Sequence, residues 1–193
     1  MTRAKGSRVR RGLSLAELLV SMALIAAVGA LIIPAVKTRL DMAQISAVID
    51  NLDNLRAVIV QYKEDVGRYP SHLRQLQTKP GVGGVPATDI CGTAVPAWAR
   101  DRWQGPYIAN PITGTGIDVK GVTIADALVR EALAFSGEYL YIPITGLDSA
   151  MANVIDLNFD GSTGSGSGTV RYSPPGCTAL TCTVRFYMPI SPC

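Results

Sequence analysis

The sequence predicts an α+β fold: a long N-terminal helix, its first half apolar enough to span a membrane, packed on a small antiparallel β-sheet. Three observations predict it. Residues 13–36 carry one charge, Glu17, and the last 19 of them are uncharged throughout. An amphipathic period then continues to Val66. The C-terminal part holds β-branched and aromatic runs between Gly- and Pro-rich turns.

A chain of 193 residues suits one compact domain plus an appendage. With 48% hydrophobic and 17% charged residues it is not a disordered chain. Its 19 glycines and 12 prolines follow no collagen period. The net charge of +3 is unevenly spread. Arg3, Lys5, Arg8, Arg10 and Arg11 put five positive charges in the first twelve residues, with no acid among them. The other 181 residues carry 13 positive and 15 negative charges. The body is therefore mildly acidic, which argues against nucleic acid held by a broad electrostatic grip. A local patch at Arg100 and Arg102 is the one exception considered.

As a helix, residues 13–36 rise about 36 Å at ~1.5 Å each, enough for a hydrocarbon core of roughly 30 Å. The positive-inside rule keeps the basic tip cytoplasmic and puts the body across the membrane. A secretory signal peptide has a shorter apolar core, ~7–15 residues, and a small-x-small cleavage site. This run is longer and ends in Pro34-Ala35-Val36-Lys37. A plain anchor explains the hydrophobicity but not Glu17, because a carboxylate in an apolar span costs a few kcal/mol on insertion scales.

Arg11-Gly12-Leu13-Ser14-Leu15-Ala16-Glu17 resembles the processing site of type IV prepilins and pseudopilins. In that family a prepilin peptidase cuts after glycine, the new N-terminal amine is usually methylated, and a glutamate stands fifth from the cut. The resemblance assigns processing to Gly12 and Leu13, and assembly to Glu17 and Pro34. Pro34 is the twenty-second residue from Leu13, where the family usually has a proline. It implies that the Leu13 ammonium of one copy pairs with Glu17 of a neighbour. In apolar surroundings such a pair is strong and an unpaired charge costly. The segment ahead of Pro34 can lose helicity in the family's filaments, and Gly29 would assist that here; otherwise Pro34 simply kinks the helix.

Leu40, Ile45, Val48, Ile49, Leu52, Leu55, Ile59, Tyr62 and Val66 recur at spacings near three and four, with charges on the remaining faces. Gly67 and Pro70 mark the stop, so the helix spans 13–66. Tyr62-Lys63-Glu64-Asp65-Val66-Gly67-Arg68-Tyr69-Pro70-Ser71 resembles the helix end of type II secretion major pseudopilins and some pilins. Asp101-Arg102-Trp103-Gln104-Gly105-Pro106-Tyr107-Ile108 resembles their Trp-Gly-x-Pro-Tyr segment, with a shifted glycine. The domains expected are a leader at 1–12, a transmembrane and assembly helix at 13–36, an amphipathic half-helix at 37–66 and a globular pilin-like domain at 67–193.

Within the body, residues 123–135, TIADALVREALAF, have the apolar spacing of a short helix. Residues 138–144, 169–172 and 181–188 read as strands. Cys91, Cys177, Cys182 and Cys193 allow three connectivities. Cys177–Cys182 with Cys91–Cys193 is favoured, and Cys91–Cys177 with Cys182–Cys193 comes next. Asp156, Asn158 and Asp160, followed by Gly161, open like a Ca²⁺-binding loop, but Ser167 stands where its last acid belongs. The competing reading is an Asp-Gly turn closing a short helix that starts near Asp148. The family's major pseudopilins carry a C-terminal Ca²⁺ site, so the resemblance admits calcium as the one candidate cofactor.

The sequence shows no catalytic constellation, so the expectation is a structural subunit rather than an enzyme. The resemblance implies a pilin or pseudopilin filament serving pilus assembly or protein secretion. Its partners would be copies of itself, related pilins, a prepilin peptidase, an inner-membrane assembly platform and the lipid bilayer. Its expected place is the bacterial inner membrane, single-pass with a periplasmic domain, before assembly into the filament. The alternative is a minor pilin acting as a tip module for adhesion or DNA uptake.

Overall fold

The computed structural model describes residues 15–133, 137–162, 166–172, 177 and 182–192, with the side chains at 29, 31–38 and 133 outside the description. The first element, α1, is Leu15–Val66. It is divided between two compact units, Met1–Met42 and Ala43–Cys193. In the first unit the helix exposes those large apolar side chains that are described, from 46% at Leu18 to 78% at Leu15.

In the second unit, the 43–66 part of α1 buries Ile45, Val48, Leu52, Leu55, Ile59, Tyr62 and Val66. Their spacing alternates between three and four, which puts them on one helical face. Asp50, Asp53 and Glu64 stay exposed. The helix stops at Gly67, whose positive φ of 78° suits a residue without Cβ. Its N–H donates to the Lys63 carbonyl at 2.8 Å, closing the last turn. Three shorter helices follow in the chain: α2 Arg74–Gln77, α3 Ala97–Asp101 and α4 Ser149–Asp160.

The described strands form one six-stranded antiparallel sheet: β1 Gly116–Val119, β2 Val122–Ala125, β3 Val129–Leu133, β4 Gly137–Leu147, β5 Val170–Tyr172 and β6 Cys182–Ile190. The order is β1-β2-β4-β6-β5, with β3 also paired to β4. Eleven-residue β4 is long enough to pair β3 through Gly137–Tyr141 residues and β2 through Ile144 and Thr145 on the same edge. Its other edge pairs β6. Leu140, Ile142 and Ile144 of β4, with Val184 and Phe186 of β6, are fully buried and share one core with the 43–66 helix residues.

The fold expectation needs correction. A long helix packed on a small sheet does not describe this chain. The sheet has six strands, and only the part of α1 from residue 43 onward belongs to the unit that contains it. The described residues of 123–135 are not helical. They contribute to β2 and β3, with Asp126 buried between the two strands. The Asp126 carboxylate accepts from the Arg74 backbone N–H at 2.9 Å and from its Nε at 2.7 Å. Leu128 N–H donates to the Ser71 carbonyl. These long-range bonds hold the segment extended against its local helical spacing.

The membrane placement is corrected as well. Among the described residues no helix is long and apolar enough to cross a membrane.

The core makes a paired prediction for chemical denaturation. Leu52→Ala removes a fully buried side chain and should cost about 2–5 kcal/mol. Tyr62→Phe should change stability by no more than about 1 kcal/mol, because the buried Tyr62 hydroxyl has no hydrogen-bond partner among the described residues.

Candidate functional site

Two segments singled out in the sequence, 62–71 and 101–108, pack together. Tyr107 N–H donates to the Leu76 carbonyl at 2.8 Å, and Trp103 Nε1 donates to the Gln75 carbonyl at 2.9 Å. The Tyr107 ring meets Tyr62 and Trp103 edge-on at 5.9 and 5.7 Å. Its hydroxyl donates to Asp65 at 2.8 Å and accepts from Gln104 N–H. Burial, reinforced by Asp65, outweighs the Gln104 bond and pushes the Tyr107 hydroxyl up to about 12. Burial, with smaller contributions from Tyr107 and Asp89, likewise raises Tyr62. Any Cβ at Gly105 would collide with the Trp103 ring. The cluster thus joins the end of α1 to the loop beyond α3.

Beside it lies an open cleft lined by Lys63, Arg68, Asp89, Cys91, Trp98 and other residues. Asp89 is occupied structurally. It accepts from Arg68 Nη1 at 2.7 Å and from the N–H groups of Cys91 and Thr93 at 3.0 and 2.8 Å. With its carboxylate committed to the loop, this cleft offers no spare acid for proton transfer at that position.

Of the processing and assembly residues, Gly12 and Leu13 lie outside the described residues. Glu17 is in the first turn of α1 and is exposed. Ser21 Oγ donates to its carbonyl oxygen at 2.7 Å. Pro34 lies within α1, whose backbone is helical through that position.

Cys177 and Cys182 form a disulfide, with Cα atoms 4.2 Å apart. Cys91 is disulfide-bonded too, and its expected partner Cys193 lies outside the described residues.

The Asp156, Asn158 and Asp160 triplet falls inside α4. Asp148 caps that helix by accepting from Met151 N–H at 2.7 Å, and Gly161 ends it in the left-handed conformation. At about 100° per residue, positions two apart point nearly opposite ways. Accordingly Asp156 is buried and Asn158 exposed. Asp160 accepts from the N–H groups of Thr169 and Val170 at 2.9 and 2.8 Å. Burial alone would raise its pKa, but these two amides, with further hydrogen bonds, outweigh it and lower the carboxyl. Among the described residues no group of three or more His, Cys, Asp or Glu could hold a metal ion. Asp160 instead pins the start of β5 to the end of α4. Gly168, with φ 93°, gives the carboxylate room to reach those amides.

The face of the sheet turned away from the core carries a group that sequence reasoning missed. Tyr139 and Tyr141 on β4, Arg185 and Tyr187 on β6, Arg171 on β5 and Glu131 on β3 share it. Arg171 Cζ stands 4.5 Å from the Tyr187 ring centre, and Arg185 Cζ 5.2 Å from that of Tyr141. The Tyr187 hydroxyl donates to Glu131 at 2.5 Å, and Arg185 Nη1 lies 3.9 Å from the same carboxylate. The available signal was the alternation Tyr139-x-Tyr141 and Arg185-x-Tyr187, but only the strand register joins them.

Compared with known proteins, the chain matches no family model, no curated protein and no solved structure. The functional reading therefore rests on its own residues.

Asp160→Asn should increase hydrogen exchange at the Thr169 and Val170 amides while α4 stays folded. Because folding lowers the Asp160 pKa, its stabilising contribution is in place above the ordinary aspartate value of about 4. It is lost as pH falls below that range, through the lowered folded-state value. An acid titration of wild type and Asp160→Asn should show the variant losing this part of the pH dependence.

Proposed function

We propose that the chain is a structural subunit of a type IV pilin-like filament, processed after Gly12 and polymerised through its N-terminal helix. The observation that carries the reading is the 15–28 stretch of α1, which exposes Leu15, Leu19, Met22, Leu24, Ile25 and Val28 by 54% or more. A helix that is apolar around its circumference needs partners beyond its own domain. Copies of the same helix supply them. The Gly12-Leu13 step and Glu17 fit this use, with the freed Leu13 ammonium of one copy pairing to Glu17 of the next. The packed 62–71 and 101–108 segments support the same resemblance, because both stretches that carry it meet in one cluster. The filament serves either pilus assembly or protein secretion, with a prepilin peptidase and an assembly platform as partners.

Co-expression with a prepilin peptidase tests processing. The product should begin at Leu13, and Gly12→Asp should remain uncut; a Gly12→Asp product that still begins at Leu13 would exclude this route. Electron microscopy of the assembled product tests the pairing. Glu17→Leu should abolish filaments while leaving cleavage intact, and normal filaments from that variant would remove the Leu13–Glu17 pair from the model of assembly.

A further inference from the structure

We propose that the outward face of the sheet around Arg171 and Arg185 binds an acidic polypeptide segment. The inference is independent of the filament reading, because it uses only the six-stranded sheet.

The argument starts from register. Arg171 of β5 and Arg185 of β6 are direct cross-strand partners. Like charges in that position repel, so the pair is held at a cost. What holds each guanidinium is an aromatic ring. Arg171 sits over Tyr187 at 4.5 Å and Arg185 over Tyr141 at 5.2 Å. Arg171 Nε also donates to the Gly168 carbonyl at 3.0 Å. Its position is built further back by Asp160, which fixes the Thr169 and Val170 amides beside it.

The negative charge on this face does not balance the pair. Glu131 accepts from Tyr187 and reaches Arg185 only at 3.9 Å. Among the described residues no carboxylate lies within ion-pair distance of Arg171. Arg171 lines a shallow depression with Tyr139, Thr169, Tyr187 and Pro189. Two oriented guanidinium groups suit carboxylates, which take two parallel N–H donors from one arginine. Tyrosine and arginine around them are also the side chains enriched at protein interfaces.

A single-stranded nucleic acid fits less well. Binding of that kind needs open ring faces for successive bases. Tyr187 is only 4% exposed and its ring is already covered by Arg171. Tyr139 meets Tyr187 edge-on, at 77° and 6.1 Å.

Fluorescence anisotropy on the full chain, kept dispersed in a non-ionic detergent, tests the proposal. The probe is a fluorescein-labelled ten-residue peptide of Glu and Gly, with its Gln and Gly counterpart and a ten-nucleotide dT strand as controls. The Glu peptide should bind at least about tenfold more tightly than the Gln peptide. Arg171→Gln combined with Arg185→Gln should lose at least about tenfold of that affinity while far-ultraviolet circular dichroism stays unchanged. If the double variant unfolds, Arg171→Gln alone serves, since that side chain's one hydrogen bond described is to the Gly168 carbonyl. Equal binding of the Glu and Gln peptides overturns the proposal. So does undiminished affinity in the folded variant, or tighter binding of the dT strand than of the Glu peptide.

Discussion

Leu140, Ile142 and Ile144 of β4 are fully buried, while Tyr139, Tyr141 and Pro143 between them stand on the opposite face. Because β4 pairs with β2, β3 and β6, this alternation decides which side of three further strands turns inward. A slip of one residue would put tyrosines in the core and isoleucines in water. The register therefore does two things at once. It closes the apolar core with the 43–66 part of α1, and it gathers Arg171, Arg185, Tyr141, Tyr187 and Glu131 on the outside.

The links around that sheet are mostly carboxylates used as backbone anchors. Asp126 receives the Arg74 N–H and side chain, Asp89 receives two loop amides and Arg68, and Asp160 receives the first amides of β5. Each satisfies donors that would otherwise be stranded in partly buried loops. Among the described residues these acids therefore do not gather into one site. Their oxygens are spent locally.

How much was legible follows from the range of each signal. The 43–66 helix face was readable because its period is local, and Gly67 marked the stop in the same way. Strands β4, β5 and β6 were readable from β-branched and aromatic runs. The 123–135 stretch misled because Ile124, Leu128, Ala132 and Phe135 recur four, four and three residues apart, a helical spacing as well. Asp126 and Leu128 decide the matter through Arg74 and Ser71, more than fifty residues upstream, which no local window contains. Asp156, Asn158 and Asp160 misled for a related reason. Alternating ligands converge only on a loop, and in α4 the same spacing turns Asn158 away from Asp156 and Asp160. The Tyr and Arg face was invisible for want of register, since its members come from four strands.

Two surfaces of the described chain remain to be covered, and they differ in kind. The 15–28 helix offers apolar area, so in the proposed filament its association would be driven by release of water from hydrocarbon. The sheet face offers oriented positive charge half exposed to solvent, with Arg185 at 45%. Salt acts oppositely on the two. Ions screen exposed charge pairs over about 10 Å at 0.1 M, while excluded salts such as sulfate strengthen apolar burial. Rising sulfate therefore favours contacts made by the helix and weakens those made by Arg171 and Arg185. Because the two surfaces lie in separate compact units, each can be occupied on its own chemical terms, and ionic conditions separate their contributions without changing the sequence.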